Sequence, residues 1–193
     1  MYRLTASTTT IWKYILRFDT DGIVEAGVPF SLDLTAPDTY GDWSMSQGYN
    51  FQMGFIGQQT SIGYFLLRTG IEAKNAEMER KGRTMPDFWA SSKIMSTSVP
   101  AVWWDPNNGD LTASGFARDY PSFLRCFVDG MEGMLDACVY AHRAGLTGYE
   151  DWEKAVLKVG SWMTENQNED GSYYRAYETN GTVCTRTTEH TWQ

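Results

Sequence analysis

The chain has 193 residues, a formal net charge of -8 and a sequence pI near 4.7. This acidic balance argues against binding nucleic acid or an anionic membrane through a broad basic surface. Hydrophobic residues make up 42% and charged residues 21%, which excludes a disordered chain and predicts a globular one.

Cysteine and histidine usage predicts neither a disulfide framework nor a metal site. Cys126, Cys138 and Cys184 are odd in number and lack metal-ligand spacing, so we predict three reduced thiols, which favours a cytoplasmic location. His142 and His190 are too few for a histidine-rich site, and no cofactor is expected. The N-terminus lacks the apolar segment of a signal peptide, and no apolar run approaches the ~20 residues of a membrane span.

Residues 1–50 form the first predicted region, an extended lead-in. Asp21-Gly22 is a hairpin-turn signal, and Ile23 and Val24 continue beyond it. The stretch 35–50 is rich in Pro, Gly, Ser and Asp and is predicted to be a loop. The residues before the turn alternate on one face: Trp12, Tyr14, Leu16 and Phe18.

The remainder, residues 51–193, is predicted to form helical hairpins. A helix over 51–70 has an apolar face, and Gly70 is its candidate C-terminal cap. The glycines inside this helix indicate close packing against another backbone. A second helix over 71–92 carries charge on one face, and Pro86 within it predicts a kink or a broken end.

An irregular segment over 93–118 follows, with a short strand predicted for 99–104 and a turn in the sequence DPNNGD. The next helix covers 121–145 and ends at Gly145. Its first turns carry an acidic cluster: Asp129, Glu132 and Asp136. Its apolar positions recur at helical spacing: Phe127, Met131, Met134, Leu135, Cys138, Val139 and Ala141.

A fourth helix is predicted to begin near Thr147, a candidate N-cap, and to bury Trp152, Ala155, Val156, Val159 and Trp162. An aromatic strand–turn–strand follows, with Asn180-Gly181 at its turn. This order of elements repeats that of the first hairpin at an offset of about 72 to 75 residues. We therefore predict two αα-hairpin repeats, 51–118 and 119–193. Such hairpins need stacked neighbours, so two copies indicate a longer array.

Several segments together resemble a known superfamily: MGFIGQQTS with YFLLRTG, MPDFWASS, FLRCFVDGMEGMLDA and WMTENQNEDGSYYRAY. They are similar to the (α/α)6 six-hairpin toroid proteins, which include bacterial polysaccharide-degrading glycosidases of the glucuronidase type. The resemblance covers about residues 50–185. It implies a mainly α fold of toroid-type hairpins. This chain supplies about two of the roughly six hairpins of such a ring, so the toroid would be partial.

The resemblance implies one rim where the loops meet the N-terminal ends of the inner helices. The catalytic carboxylates there would be Asp129, Glu132 and Asp170. Aromatic rings stack on pyranose faces, and a glycosidase needs two carboxylates roughly 5 to 9.5 Å apart. The candidate substrate-binding residues are Gln58, Gln59, Trp103, Trp104, Arg125, Tyr173, Tyr174 and Arg175.

We therefore expect a glycoside hydrolase acting on a polysaccharide or oligosaccharide, with uronic-acid-containing sugars among the candidates. Asp129 would be the base or nucleophile, and Asp170 or Glu132 the acid. A non-catalytic glycan-binding or scaffold module stays open, as does a lyase or epimerase using Tyr173 or Tyr174. Each carboxylate also has a structural explanation: Asp129 as a helix cap or dipole partner, Glu132 as a buried acid bonded to a neighbouring helix, and Asp170 as a turn residue. Exposed helix faces on so short a chain predict self-association.

Overall fold

Helices make up most of the structure, a computed structural model that describes residues 16–20, 23–28, 51–55, 58–105, 110–111, 121–184 and 190–191. Four long helices and one short helix lie in these ranges. In chain order they are α1 (Gln59–Glu72), α2 (Ala76–Trp89), α3 (Ser92–Met95), α4 (Leu124–Arg143) and α5 (Glu150–Asn166). The prediction of a mainly α fold is confirmed.

The strands are short and pair in small separate sheets. In chain order they are β1 (Leu16–Thr20), β2 (Ile23–Gly27), β3 (Phe51–Gln52), β4 (Trp103–Asp105), β5 (Asp110–Leu111), β6 (Ser122–Phe123), β7 (Tyr173–Tyr174), β8 (Ala176–Tyr177) and β9 (His190–Thr191). β1 and β2 pair antiparallel, with Thr20 opposite Ile23, which confirms the predicted hairpin. Its turn, Asp21-Gly22, lies outside the described residues, as do 1–15 and the loop predicted for 35–50.

The start of the first long helix was predicted wrongly. α1 begins at Gln59, and β3 occupies the first positions of the predicted helix. Two residues explain why the helix cannot start earlier. Phe55 and Gln58 take left-handed backbone conformations, with φ of 53° and 47°, which a right-handed helix cannot contain.

Gly70 is not the cap that the sequence predicted, because α1 continues to Glu72 and is capped by Ala73. Gly70 instead allows α1 and α2 to approach closely. A Cβ atom on Gly70 would lie 2.3 Å from the backbone nitrogen of Glu79. Pro86 lies inside α2, which continues through it and ends at Trp89, before the predicted end at residue 92.

The long helix α4 follows the predicted pattern with two exceptions. It ends at Arg143, and Gly145 takes a left-handed φ of 67°, as predicted for a helix stop. Leu135 and Val139 were predicted to be core residues, but they are 48% and 40% exposed. The remaining predicted apolar positions are buried: Phe127, Met131, Met134, Cys138 and Ala141.

In α5 the predicted apolar face is confirmed, whereas the predicted cap is wrong. The helix begins at Glu150 with Tyr149 at the N-cap position, so Thr147 lies outside it. The side chains of Trp152, Ala155, Val159 and Trp162 are buried, whereas Val156, also predicted to be buried, is only half-buried. After α5, the Asn180-Gly181 turn is confirmed, since Tyr177 bridges to Val183 across it and Gly181 has a φ of 87°.

Helix packing arranges the two hairpins side by side. α1 packs against both α2 and α4, and α4 packs against α5. The hydroxyl of Thr60 donates to the carbonyl of Gly130, and the rings of Tyr64 and Tyr140 lie 6.2 Å apart. Contacts therefore advance along α1 and α4 in the same direction, which makes these two helices parallel neighbours.

Each helical hairpin is closed by a short ladder. β3, before α1, pairs antiparallel with β4, which follows α2, and places Phe51 opposite Trp104. β6, before α4, pairs antiparallel with β8, which follows α5, and places Ser122 opposite Tyr177. The two units share this order of elements. In the part of the chain that the structure describes, no helix is long and apolar enough to cross a membrane.

Asp87 and Trp152 join α2 and α5, the second helices of the two hairpins. The indole Nε1 of Trp152 donates to Oδ1 of Asp87 at 2.7 Å. Although the Asp87 residue as a whole is exposed, burial of its carboxyl group is the largest influence on its pKa and raises that pKa above the usual value. The hydrogen bond from Trp152 and the charge of Arg83 offset part of this rise.

The Asp87→Asn variant is expected to be at least as stable as the parent protein at pH 7, because asparagine keeps the acceptor and removes the charge. Since the folded-state pKa exceeds the unfolded value, the carboxyl's contribution to stability is greatest below that unfolded value and falls as pH rises through the folded pKa. Asp87→Ala loses the hydrogen bond and should cost about 1–2 kcal/mol. Urea unfolding across the acid range measures both, and an Asp87→Asn protein less stable than the parent at pH 7 would contradict this account.

Candidate functional site

The N-terminal end of α4 is where the loops of both hairpins meet. The segment before α1 lies against it so closely that a Cβ atom on Gly54 would be 2.0 Å from the carbonyl oxygen of Cys126. The loop after α5 reaches the same place, because the Leu124 amide donates to the carbonyl of Arg175 at 3.0 Å. This end of α4 therefore gathers side chains from three separate parts of the sequence.

Asp129 lies at this junction and is held by two groups. The backbone amide of Phe55 donates to its Oδ2 at 3.1 Å, and Arg125 Nε lies 3.6 Å from the same oxygen. The side chain is 23% exposed. Since α4 begins at Leu124, Asp129 is in its second turn, where the helix dipole is weak. The Phe55 amide and Arg125 orient the carboxylate instead.

Two arginines stack on two phenyl rings beside Asp129. The Arg125 guanidinium lies 4.9 Å from the ring centre of Phe55, and that of Arg175 lies 5.6 Å from the ring of Phe123. The two rings meet edge to face at 6.1 Å. Cation–π contacts of this kind hold each guanidinium over a ring face. The rings of Phe55 and Phe123 thus place two positive charges at the same end of α4 as Asp129.

The two predicted glutamines have different surroundings. Gln58 is half-buried and its amide donates to the carbonyl of Phe55, so it braces the loop that holds Asp129. Gln59 is fully buried. Its side-chain amide donates to the carbonyl of Val28 at 2.8 Å and accepts from the Val28 amide at 2.9 Å. Gln59 therefore ties the end of β2 to α1.

The predicted tryptophans are part of the core. Trp103 and Trp104 are 4% and 2% exposed. Trp104 packs edge to face against Phe88 at 5.3 Å, and the Lys93 ammonium lies 5.4 Å from the Trp104 ring. With this little surface exposed, the packing explanation fits these rings better than a sugar-stacking platform.

The predicted tyrosines also have internal partners. Tyr173 is buried, and its hydroxyl donates to the carbonyl of Met163 at 3.1 Å. Burial raises the pKa of Tyr173 above its usual value, which disfavours the phenolate that a base would need. Tyr174 is half-buried, and its amide donates to the Tyr177 hydroxyl at 2.9 Å.

Asp170 and Glu132 are the other two predicted carboxylates, and both are exposed. Oδ1 of Asp170 accepts from the amide of Ser172 at 3.0 Å and from its hydroxyl at 2.7 Å. The next residue, Gly171, has a φ of 86°, so Asp170 stabilises a tight turn. Glu132 lies one turn after Asp129 on α4.

Gln52 and Cys126 form a buried polar pair near Asp129, and the sequence analysis did not predict it. Nε2 of Gln52 donates to the Cys126 sulfur at 3.1 Å, while Gln52 Oε1 has no hydrogen-bond partner among the described residues. Burial, and secondarily the Asp129 carboxylate, raises the pKa of the Cys126 thiol, which therefore stays protonated. In the described ranges, no three His, Cys, Asp or Glu side chains cluster as metal ligands.

The sequence signals for this site are uneven. The i, i+4 spacing of Arg125 and Asp129 on one helix predicts their ion pair. Phe55 and Phe123 position Arg125 and Arg175 through contacts between distant segments, so no local sequence pattern predicts these two contacts. Comparison with known proteins adds no further signal: no protein-family model, curated protein or solved structure matches the chain.

Proposed function

We propose that this chain is part of a glycoside hydrolase of (α/α)-toroid architecture, acting on a polysaccharide or oligosaccharide. Uronic-acid-containing sugars are the favoured substrate class because two guanidinium groups accompany the candidate carboxylate. In this proposal Asp129 is the base or nucleophile, and Asp170 or Glu132 is the acid. Arg125 and Arg175 bind the anionic group of the sugar.

The observation that carries the proposal is the setting of Asp129. Its carboxylate is oriented by the Phe55 amide, is only partly exposed, and has a guanidinium at 3.6 Å. A catalytic carboxylate must be held in a fixed position and stay within reach of substrate. Asp129 meets both requirements, and of the three predicted carboxylates it alone is half-buried, since Glu132 and Asp170 are exposed.

The arrangement of helices supports the toroid part of the proposal. In a ring of αα-hairpins, the inner helices run parallel to one another and the outer helices lie outside them. α1 and α4 are parallel neighbours, and α2 and α5 are linked through Asp87 and Trp152. The strands β3 and β6, which precede α1 and α4, pair with strands that follow the second helix of each hairpin, and this supports a shared rim at the N-terminal ends of α1 and α4.

A glycan-binding module without catalysis is the second candidate. One observation favours it: the same Asp129 oxygen accepts a hydrogen bond from the Phe55 amide and forms an ion pair with Arg125. A carboxylate held in this way also suits a purely structural or binding role. A lyase or epimerase has less support, because the Tyr173 hydroxyl is engaged with Met163 and its pKa is raised.

A panel of oligosaccharides separates these candidates. The full chain is incubated with neutral and uronate-containing oligosaccharides, and new reducing ends are measured together with binding by calorimetry. A hydrolase releases reducing ends from the uronate-containing members first. Binding without release supports the module, and the absence of both release and binding overturns the proposal.

A further inference from the structure

Helices α4 and α5 leave an apolar groove open to the surface on the side away from α1. Among the described residues, three of the four large apolar side chains that stay exposed are in it: Leu135, Val139 and Leu157, at 48%, 40% and 63%. The groove encloses about 320 Å³. Single exposed apolar side chains are ordinary, but three around one concave surface mark an interaction site.

The groove has the pattern of one side of a helical bundle. On α4, Leu135, Val139 and His142 line it at i, i+4 and i+7. On α5, Glu153 and Leu157 line it at i and i+4. Each helix of the pair therefore presents a straight stripe, and the two stripes run side by side with opposite chain direction. Two such hairpins placed face to face would enclose a four-helix core.

The charges at the edge of the groove are self-complementary. Arg143 is in the last turn of α4, and Glu153 is in the first turn of α5. Because the helices are antiparallel and joined by a short connection, both charges lie at the same end of the groove. A two-fold axis parallel to the helices places α4 of one molecule opposite α5 of the other. Arg143 then meets the partner's Glu153, and the reverse pair forms by symmetry.

We propose that the occupant of this groove is a second copy of the chain, giving a two-fold dimer with an antiparallel four-helix bundle of α4 and α5 at its centre. Leu135, Val139 and Leu157 form its apolar core. Arg143 and the partner's Glu153 set its register. The inference concerns the face of α4 opposite α1, which in a longer toroid would adjoin the next hairpin, so the dimer is proposed for the chain of 193 residues.

The dimer is tested by sedimentation velocity and light scattering over a wide range of protein concentrations. The expected mass is twice that of the 21.9 kDa chain. Leu157→Asp should weaken dimerisation by about tenfold or more, since it places a charge in the apolar core. The matched control is Phe65→Asp on α1, an apolar residue that is 42% exposed but outside the groove, and it should stay dimeric. Circular dichroism checks that both variants keep their helices.

Charge reversal tests the register. Arg143→Glu and Glu153→Arg should each weaken the dimer, and the double variant should restore it. A parent protein that is monomeric at every concentration overturns the proposal and leaves the groove to another segment or another protein. If Leu157→Asp does not weaken the dimer, the interface lies outside the groove and the proposal is wrong. Single charge variants whose combination does not restore association refute the two-fold arrangement.

Discussion

Replacing Asp129 with asparagine is expected to abolish glycoside turnover while leaving the helical fold intact. Asparagine keeps an oxygen that can accept from the Phe55 amide, so the loop before α1 stays in place. Arg125 is 56% exposed, and losing its ion pair should cost less than about 1 kcal/mol. The lost negative charge removes the proposed base or nucleophile, which lowers kcat by about 10²- to 10⁴-fold or more.

The matched control is Asp136→Asn, the same chemical change at an exposed position on the same helix. It should keep full turnover. Steady-state kinetics on the substrate found in the oligosaccharide panel, with a urea unfolding curve for each variant, separates lost chemistry from lost folding. Full activity in a folded Asp129→Asn protein would contradict the assignment of Asp129 as the base or nucleophile. Unchanged sugar binding with no turnover in either protein would favour the glycan-binding module.

Among glycine-to-alanine substitutions in the α1–α2 hairpin, Gly82→Ala is expected to lower the stability most. A Cβ atom on Gly82 would lie 2.2 Å from the Leu67 nitrogen and 2.7 Å from the Leu66 carbonyl carbon. Both are backbone atoms of a neighbouring helix, so no rotamer change can relieve the clash and the helices must separate. We expect a loss of about 3 kcal/mol in the free energy of unfolding.

Gly160→Ala is the control for that experiment and should raise the free energy of unfolding, whereas Gly82→Ala lowers it. Gly160 lies within α5 on its exposed side, and a Cβ atom there meets nothing within 4 Å. Alanine is a better helix former than glycine, so the variant should gain about 0.5–1 kcal/mol. Urea unfolding of the two variants and the parent protein measures both changes. Similar effects at the two positions would contradict the packing described for Gly82.

Where a structure depends on neighbours in sequence, it could be predicted. The buried faces of α4 and α5 follow from apolar residues at helical spacing, and Gly145 stops α4 through its left-handed φ. The same holds for the Asn180-Gly181 turn, where the Asn180 side chain accepts from the Thr182 amide at 3.0 Å. In each case, the interaction that decides the structure joins residues a few positions apart.

Where a structure depends on distant segments, prediction from the sequence failed. The apolar residues around 51–55 suit a helix as well as a strand, and the choice is made by β4 and by the approach of Gly54 to Cys126. Gly70 matches the sequence pattern of a helix cap, but its structural role is to let α1 approach the backbone of Glu79. Leu135 and Val139 match the helical spacing of core residues, and only the position of α5 shows that they face the surface groove.

The candidate site shows the same division. Asp129 and Arg125 could be paired from their spacing, whereas the rings under Arg125 and Arg175 could not. The bond between Gln59 and Val28 spans parts of the chain for which no local pattern indicates contact. Burial also decides what a residue can do. Trp103 and Trp104 have the right chemistry for sugar stacking, but β3 and α2 enclose them.

The short ladders that close each hairpin have a consequence for the order of folding. Each ladder joins residues that flank a complete pair of helices, so its closure costs more chain entropy than forming the pair itself. The helices can therefore assemble first, with the β3–β4 and β6–β8 contacts following. The ladders are then expected to open before the helices, and amide exchange should be faster at Gln52 and Phe123 than in the middle of α4.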